Sequence, residues 1–394
     1  MCRLGHLGFA ISVIISLVGC DSQLDQFGSN QVFSLTLAKS ESVDMSDAEA
    51  DASIILENLF GTPDSPTWPS EAATEANLVQ VDRLRRAAGK VSSEQDGTHL
   101  GLFREHCVVC HGVSGSGSGP ASQFQNPYPR DFRPGIFKWK TTERSSKPSR
   151  GDLKKLLLNG VPGTGMPSFS LLDDSDLEAL VDYVIYLSIR GEVERRLLTV
   201  MVTSLGYGDD ALLDEERLTY PKTGTTDPEV LAIVKRVVTQ WVKASRVESL
   251  TESDYSSRSD EFAISRGRDL FHGKIANCVG CHGMNGEGGL ETRDFDDWTK
   301  EYTTKLGLSP EDKEALEPFR KAGAHRPREI QPRILKGAVF RGGDEPGRLF
   351  QLINHGIAGT PMPGVALVSE ESGKGLTESQ IWDLVSYLRS LQSQ

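Results

Sequence analysis

The sequence predicts an all-α protein: two similar helical units in tandem, a helical connector between them, and a flexible stretch ahead of the first. Three observations carry this expectation. A five-residue pattern occurs twice, as Cys107-Val108-Val109-Cys110-His111 and as Cys278-Val279-Gly280-Cys281-His282. Each copy is followed by a glycine-rich loop ending in Met-Pro, and then by apolar residues at helical spacing. Between the halves, Leu231, Val234, Val237, Val238 and Trp241 keep the same period. The expected division is 1–19 leader, 20–75 acidic flexible tether, 76–205 first unit, 206–254 helical connector and 255–394 second unit.

The leader has Arg3, a mainly apolar run from Leu7 to Val18, and then Leu17-Val18-Gly19-Cys20. It resembles a bacterial lipoprotein signal peptide in which Cys20 receives the acyl chains, and it is too short to span a bilayer. The alternative is a plain secretory leader cleaved nearby. Either places the mature chain outside the cytoplasm, on the periplasmic side, and the lipoprotein reading leaves it membrane-anchored by acyl chains alone. The net charge of −12 is unevenly spread, because residues 21–80 hold eleven acids against one lysine. That stretch is also rich in Ser, Ala and Pro, so it is expected to be a largely disordered tether with one helix near Ala48 to Phe60.

In the first unit, Leu102 and Phe103 lead a short helix into the Cys107 motif. Two thiols three residues apart with an adjacent imidazole form the pattern to which haem c is covalently attached, His111 supplying the proximal iron ligand. A zinc knuckle or a thiol redox pair would use part of the same pattern. Its recurrence around His282 favours two haems. Asn159 to Pro167 then matches Asn354 to Pro363, both closing on Met-Pro. A thioether is a soft, weak donor that completes six-coordinate haem iron, so Met166 and Met362 are expected as distal ligands, the alternative being ordinary packing. His355 is a lesser candidate for the second iron.

A further repeat starts with Pro-Arg: Pro129 to Lys138 aligns with Pro332 to Arg341. Around it, residues 130–155 carry nine Lys/Arg against three acids, and 318–350 eight against three. Arg130 and Arg333 are the candidates for pairing with haem propionates; a solvated basic face and a docking patch for an acidic redox partner are the other readings. After each Met loop comes a capped amphipathic helix, Asp173 onward and Thr377 onward, sharing Leu-Val-x-Tyr at Leu180 to Tyr183 and Leu384 to Tyr387.

Taken together, these features resemble class I c-type cytochromes, in which a C-terminal helix packs on the N-terminal haem helix. The resemblance covers both halves, roughly 76–205 and 255–394, and implies two tandem class I cytochrome c domains. In that family a proline carbonyl accepts the proximal imidazole proton, and Pro120 is the candidate here; the second half has no equivalent. The His-to-Met separation is 55 residues in the first half and 80 in the second, the excess being an insertion around Asp294 to Arg328 expected to cover the second haem edge. Cysteine accounting supports the scheme, with Cys2 lost, Cys20 lipidated and four thiols on haem.

The implied function is single-electron transfer between a respiratory donor, a quinol-oxidising complex or dehydrogenase, and an oxidase or soluble cytochrome. The alternatives are a di-haem peroxidase in which one Met is displaced, a thiosulfate dehydrogenase, for which the required Cys ligand is missing, and a scaffold subunit. No nucleic-acid module is seen, and the acidic N-terminal stretch disfavours polyanions.

Overall fold

The computed structural model describes residues 25–70, 78–208, 217–218, 226–247, 261–288, 294–369 and 373–393; the leader and Cys20 lie outside them. The first half is built on α7, Asp174–Ser204. Asp173 caps it by accepting from the Asp176 amide at 3.1 Å. Buried residues occupy all its faces from Leu177 to Val202, as expected of a helix surrounded by others.

Around α7 lie α1 (Gln31–Glu41), α2 (Ser46–Phe60), α3 (Val81–Ala87), α4 (Leu102–His106), the single turn α5 (Val108–His111), α6 (Arg150–Asn159) and α8 (Pro228–Ser245). Ser92–Ser93 and His99–Leu100 pair as a two-residue antiparallel ladder.

Residues 25–70 correct the expectation of a loose tether. Ala48, Ala52, Ile55, Leu56, Leu59 and Phe60 of α2 are buried, and the Phe60 ring meets Tyr186 of α7 edge-on at 5.8 Å. The acidic composition hid this because several of the acids are paired. Asp51 accepts from Arg217 at 2.8 and 2.9 Å and from the Tyr207 hydroxyl at 2.7 Å.

The connector helix α8 forms where its period places it, but it belongs to the first half. Val230, Val234, Val237 and Trp241 are buried in the same core as α7. The Trp241 indole donates to buried Glu192 of α7 at 2.8 Å, and Glu192 is also paired with Lys147.

The second half repeats the helix crossing with α9 (Glu261–His272), the turn α10 (Val279–His282), and after the insertion α13 (Pro346–His355) and α14 (Glu378–Gln392). Helix α9 packs on α14 through Gly267, where a β-carbon would sit 2.0 Å from the Asp383 carbonyl oxygen; only glycine permits that approach. Beside it Phe271 meets Tyr387 at 5.3 Å. The first half has the matching pair, Phe103 and Tyr183, at 4.9 Å.

The insertion carries α11 (Asp297–Tyr302) and α12 (Glu317–Lys321). It packs largely against the first half, while its Trp298 also meets Gly359 of the second Met loop. Tyr302, Leu316, Phe319 and Ala324 form a small core with Val32 and Leu35 of α1. His325 stacks on Tyr128 at 4.1 Å, and its Nε2 lies 2.9 Å from the Gly117 carbonyl oxygen. Arg328 stacks on Tyr128 as well, at 3.7 Å. An apolar cluster this small needs a partner surface, and α1 supplies it.

A second tie is electrostatic. Arg348 in the first turn of α13 donates to Asp152 of α6 at 2.9 Å, with 3% and 2% of the two side chains exposed. Asp152 also accepts from the Thr141 amide at 3.0 Å and the Ser149 amide at 3.0 Å. Removing one member of a buried pair strands the other charge, at a cost of about 3–5 kcal/mol. Arg348→Ala is therefore expected to lower stability by that amount and to separate the unfolding of the two halves in calorimetry; a loss under about 1 kcal/mol would contradict the buried-pair assignment.

Candidate functional site

In both halves the Cys-x-x-Cys-His segment is one helical turn that follows the N-terminal helix, directly after α4 in the first half and a short loop after α9 in the second. Cys107 sits at the junction of α4 and α5 and is buried, Cys110 is half-buried, Cys278 stands just ahead of α10 and is half-buried, and Cys281 lies within α10 and is exposed. Burial pushes the Cys107 thiol up to about 12 and the Cys278 thiol up to about 11. Such thiols are neutral at physiological pH and are poor thiolate nucleophiles or metal ligands. Among the described residues no group of three or more His, Cys, Asp or Glu is arranged to hold a metal, so a zinc site would lack its other ligands.

Both imidazoles are fixed in the same way. His111 Nδ1 lies 3.0 Å from the Arg130 carbonyl oxygen, and His282 Nδ1 lies 2.9 Å from that of Arg333. A carbonyl only accepts, so each ring carries its proton on Nδ1 and leaves the Nε2 lone pair free. Burial reinforces the neutral form, pushing His111 down to about 4 and His282 below its ordinary value. Phe132 stacks on the His111 ring at 4.6 Å.

This bond corrects the assignment of Pro120, which is exposed. The loop turns back so that the Gly117 amide donates to the His111 carbonyl at 2.9 Å, and Gly288 does the same to His282 at 2.8 Å. At Gly117 a β-carbon would lie 2.7 Å from the Pro129 carbonyl oxygen, and at Gly288 it would lie 3.1 Å from that of Pro332. The glycines let the Pro-Arg segment pass close beneath the ring, so the acceptor comes from that segment and not from the proline ten residues earlier. The repeat was legible in the sequence; its role as a backbone acceptor was not.

The guanidinium groups of this repeat point into the junction of the halves. Arg130 is stacked 3.6 Å over the Trp298 ring of the insertion, and burial pushes it down to about 10. An Arg333 nitrogen comes within 3.8 Å of where a β-carbon on Gly163 would begin, in the first Met loop. Much of the basic excess seen in the sequence therefore lies in this seam, together with Arg144, Lys155, Arg328 and Arg348.

The two Met loops are superimposable in their bonding. Met166 N donates to Thr164 Oγ1 at 3.2 Å, and Met362 N to Thr360 Oγ1 at 3.2 Å. Val161 N donates to the Met166 carbonyl at 3.1 Å, and Ile357 N to that of Met362 at 3.2 Å. Gly160 and Gly356 open the loops at φ +64° and +68°, with the Pro167 or Pro363 backbone 2.6 Å from a would-be β-carbon. Both methionine side chains are half-buried.

Two residues of the seam were missed from the sequence as site elements. Arg144 donates to the Met362 and Thr360 carbonyls at 2.6 Å each. Trp298 lies against Gly359 of that loop, 2.1 Å from where a β-carbon would be. Its buried Nε1 has no hydrogen-bond partner in the protein; a donor left unpaired there suits a carboxylate-bearing group such as a haem propionate. His355 lines a cleft of about 530 Å³ with Glu143 and Arg144 at the junction of the halves.

The comparisons with known proteins come from family and from structure. The cytochrome c family matches residues 101–188 and 264–392, and no curated protein matches the chain. Among solved structures the chain matches one of the "Kuenenia stuttgartiensis reducing HAO-like protein complex Kustc0457/Kustc0458", at 21% identity and a TM-score of 0.44, covering 77% of this chain and 99% of that one. Each matched region contains one Cys-x-x-Cys-His turn, its carbonyl-pinned imidazole and its Met loop, and on that footing the chain belongs to the cytochrome c family, with covalently bound haem c as the implied cofactor.

Proposed function

We propose that the protein is a di-haem electron carrier, with His111 and Met166 ligating one iron and His282 and Met362 the other. The observation that supports this best is the repetition of the whole bonding pattern, from imidazole to Thr-pinned methionine, in both halves. Haem c bound in this way supplies reversible one-electron iron chemistry. The protein's own residues set the conditions for it. His111 and His282 present a lone pair from a fixed ring, and the carbonyl on Nδ1 raises ligand basicity. Met166 and Met362 offer sulfur, which favours the reduced state relative to a second imidazole. Arg130, Arg333 and the Trp298 indole are the proposed neighbours of the propionates.

A peroxidase would require one thioether to leave. Both methionines are held at amide and carbonyl by corresponding groups, which favours a carrier. Optical spectra of oxidised, half-reduced and fully reduced protein test this. Low-spin signals throughout, two thioether-bound haems per chain and no carbon monoxide binding are expected, whereas a high-spin haem on half-reduction would establish the enzyme reading instead.

The redox partners proposed are a quinol-oxidising complex or dehydrogenase as donor and an oxidase or soluble cytochrome as acceptor. Among the described residues no helix is long and apolar enough to cross a membrane, so attachment on the periplasmic side is proposed to rest on acyl chains at Cys20. Because Phe27 already packs on Tyr186 of α7, with ring centroids 6.2 Å apart, only about six residues separate Cys20 from the fold, a reach of roughly 20 Å at full extension. The haems would then work close to the membrane surface.

Met362→Ala is expected to keep the second haem attached but to lower its potential and admit exogenous ligands; an unchanged potential means Met362 is not the distal ligand. Cys20→Ser is expected to release the protein from membranes into the soluble fraction, and continued membrane association would exclude the lipid anchor.

A further inference from the structure

The second Met loop is held by the other half of the molecule. Helix α13 leads directly through Gly356 into the loop that carries Met362. Its first turn is docked on the first half by the Arg348–Asp152 pair. At the far end of the same segment Arg144, also of the first half, forks onto the Met362 and Thr360 carbonyls at 2.6 Å each. Both are charge-assisted bonds from one planar group, which fix orientation as well as distance.

The loop presenting Arg144 is itself braced. Lys140 is buried beneath it and donates to the Thr142 carbonyl at 3.2 Å and to that of Glu143. Lys147 is buried three residues beyond Arg144, paired with Glu192 of α7. The Ser146 amide closes the turn onto the Glu143 carbonyl at 2.9 Å. Arg144 is therefore presented by a rigid mount, not by a free surface loop.

The first Met loop is treated differently. Arg333 passes beside Gly163 of that loop, and the cross-domain arginine that bonds to it, Arg341, meets the Gly163 carbonyl at 3.5 Å, three residues before Met166. Methionine is a flexible side chain and a weak iron donor, so the backbone that carries it decides how firmly sulfur is offered.

We propose that Arg144 is a positioning residue for the sixth ligand of the second haem, so that the first half of the chain controls iron ligation in the second. This rests on the reading of Met362 as the distal ligand. Arg144 acts by fixing the Met362 carbonyl, which also accepts from Ile357 N at 3.2 Å. Its positive charge in the same place favours reduced iron.

The test uses the full-length, haem-loaded chain and the near-infrared charge-transfer band of thioether-ligated ferric haem. Met362→His first defines the share of that band due to the second haem; if it removes none, the reading of Met362 fails and the proposal falls with it. Given that share, Arg144→Gln is expected to remove most of it, to lower the second midpoint potential and to allow carbon monoxide binding after reduction. Arg144→Lys, a milder change that keeps charge without the fork, should retain an intermediate share. Arg195→Gln, which breaks a seam ion pair with Glu301 away from the loop, should leave the band intact. A full band in Arg144→Gln overturns the proposal while leaving Met362 as ligand, and so does an equal loss in Arg195→Gln.

Discussion

The site depends on one hydrogen bond made twice, from a half-buried imidazole Nδ1 to the carbonyl of the arginine in a Pro-Arg pair. It decides which ring nitrogen holds the proton, and hence which can meet iron. The surrounding choices follow from bringing that carbonyl close. Gly117 and Gly288 have positive φ and no side chain to obstruct the crossing segment. The thiols are carried on a single turn so that they and the imidazole fall on one side. Because backbone groups make the contact, the arginine side chains are released for other work, and they are directed outward into the seam between the halves.

That seam is where the duplicated design becomes one molecule. Arg130 provides the acceptor for His111 through its backbone and stacks on Trp298 through its guanidinium, while Trp298 rests on the Met362 loop. A single residue thus touches the imidazole of one motif and, through one indole, the Met loop of the other. Cation–π stacking at a desolvated position is worth about 2 kcal/mol, and the buried Arg348–Asp152 pair adds directionality. The extra length between His282 and Met362 supplies this junction, with Trp298 between Arg130 and the Met362 loop.

The amphipathic helices, their caps and the two motif-loop-helix sets could be read from the sequence because each depends on neighbours a few residues away. Asp173 and Thr377 cap as their position dictates, and α8 starts at Pro228 as its period requires. What could not be read depends on partners distant in the chain. Residues 48–60 show a helical stripe, but only α7 explains why it is buried. Pro120 is the acceptor that the family resemblance implies, and the path of the loop at Gly117 places the Arg130 carbonyl there instead. Arg144 counted only as one charge in a basic stretch, since nothing local marks the carbonyls it reaches 216 and 218 residues away.

The insertion has a final bearing on how the chain can be divided. Tyr302, Leu316 and Phe319 are covered by Val32 and Leu35, which come from the opposite end of the polypeptide. A fragment starting after α8 would retain the Cys278 motif and the Met362 loop yet present a bare apolar face where α1 belongs. Cutting between the repeats does not yield two miniature cytochromes; it leaves the later one sticky and the earlier one missing its clasp.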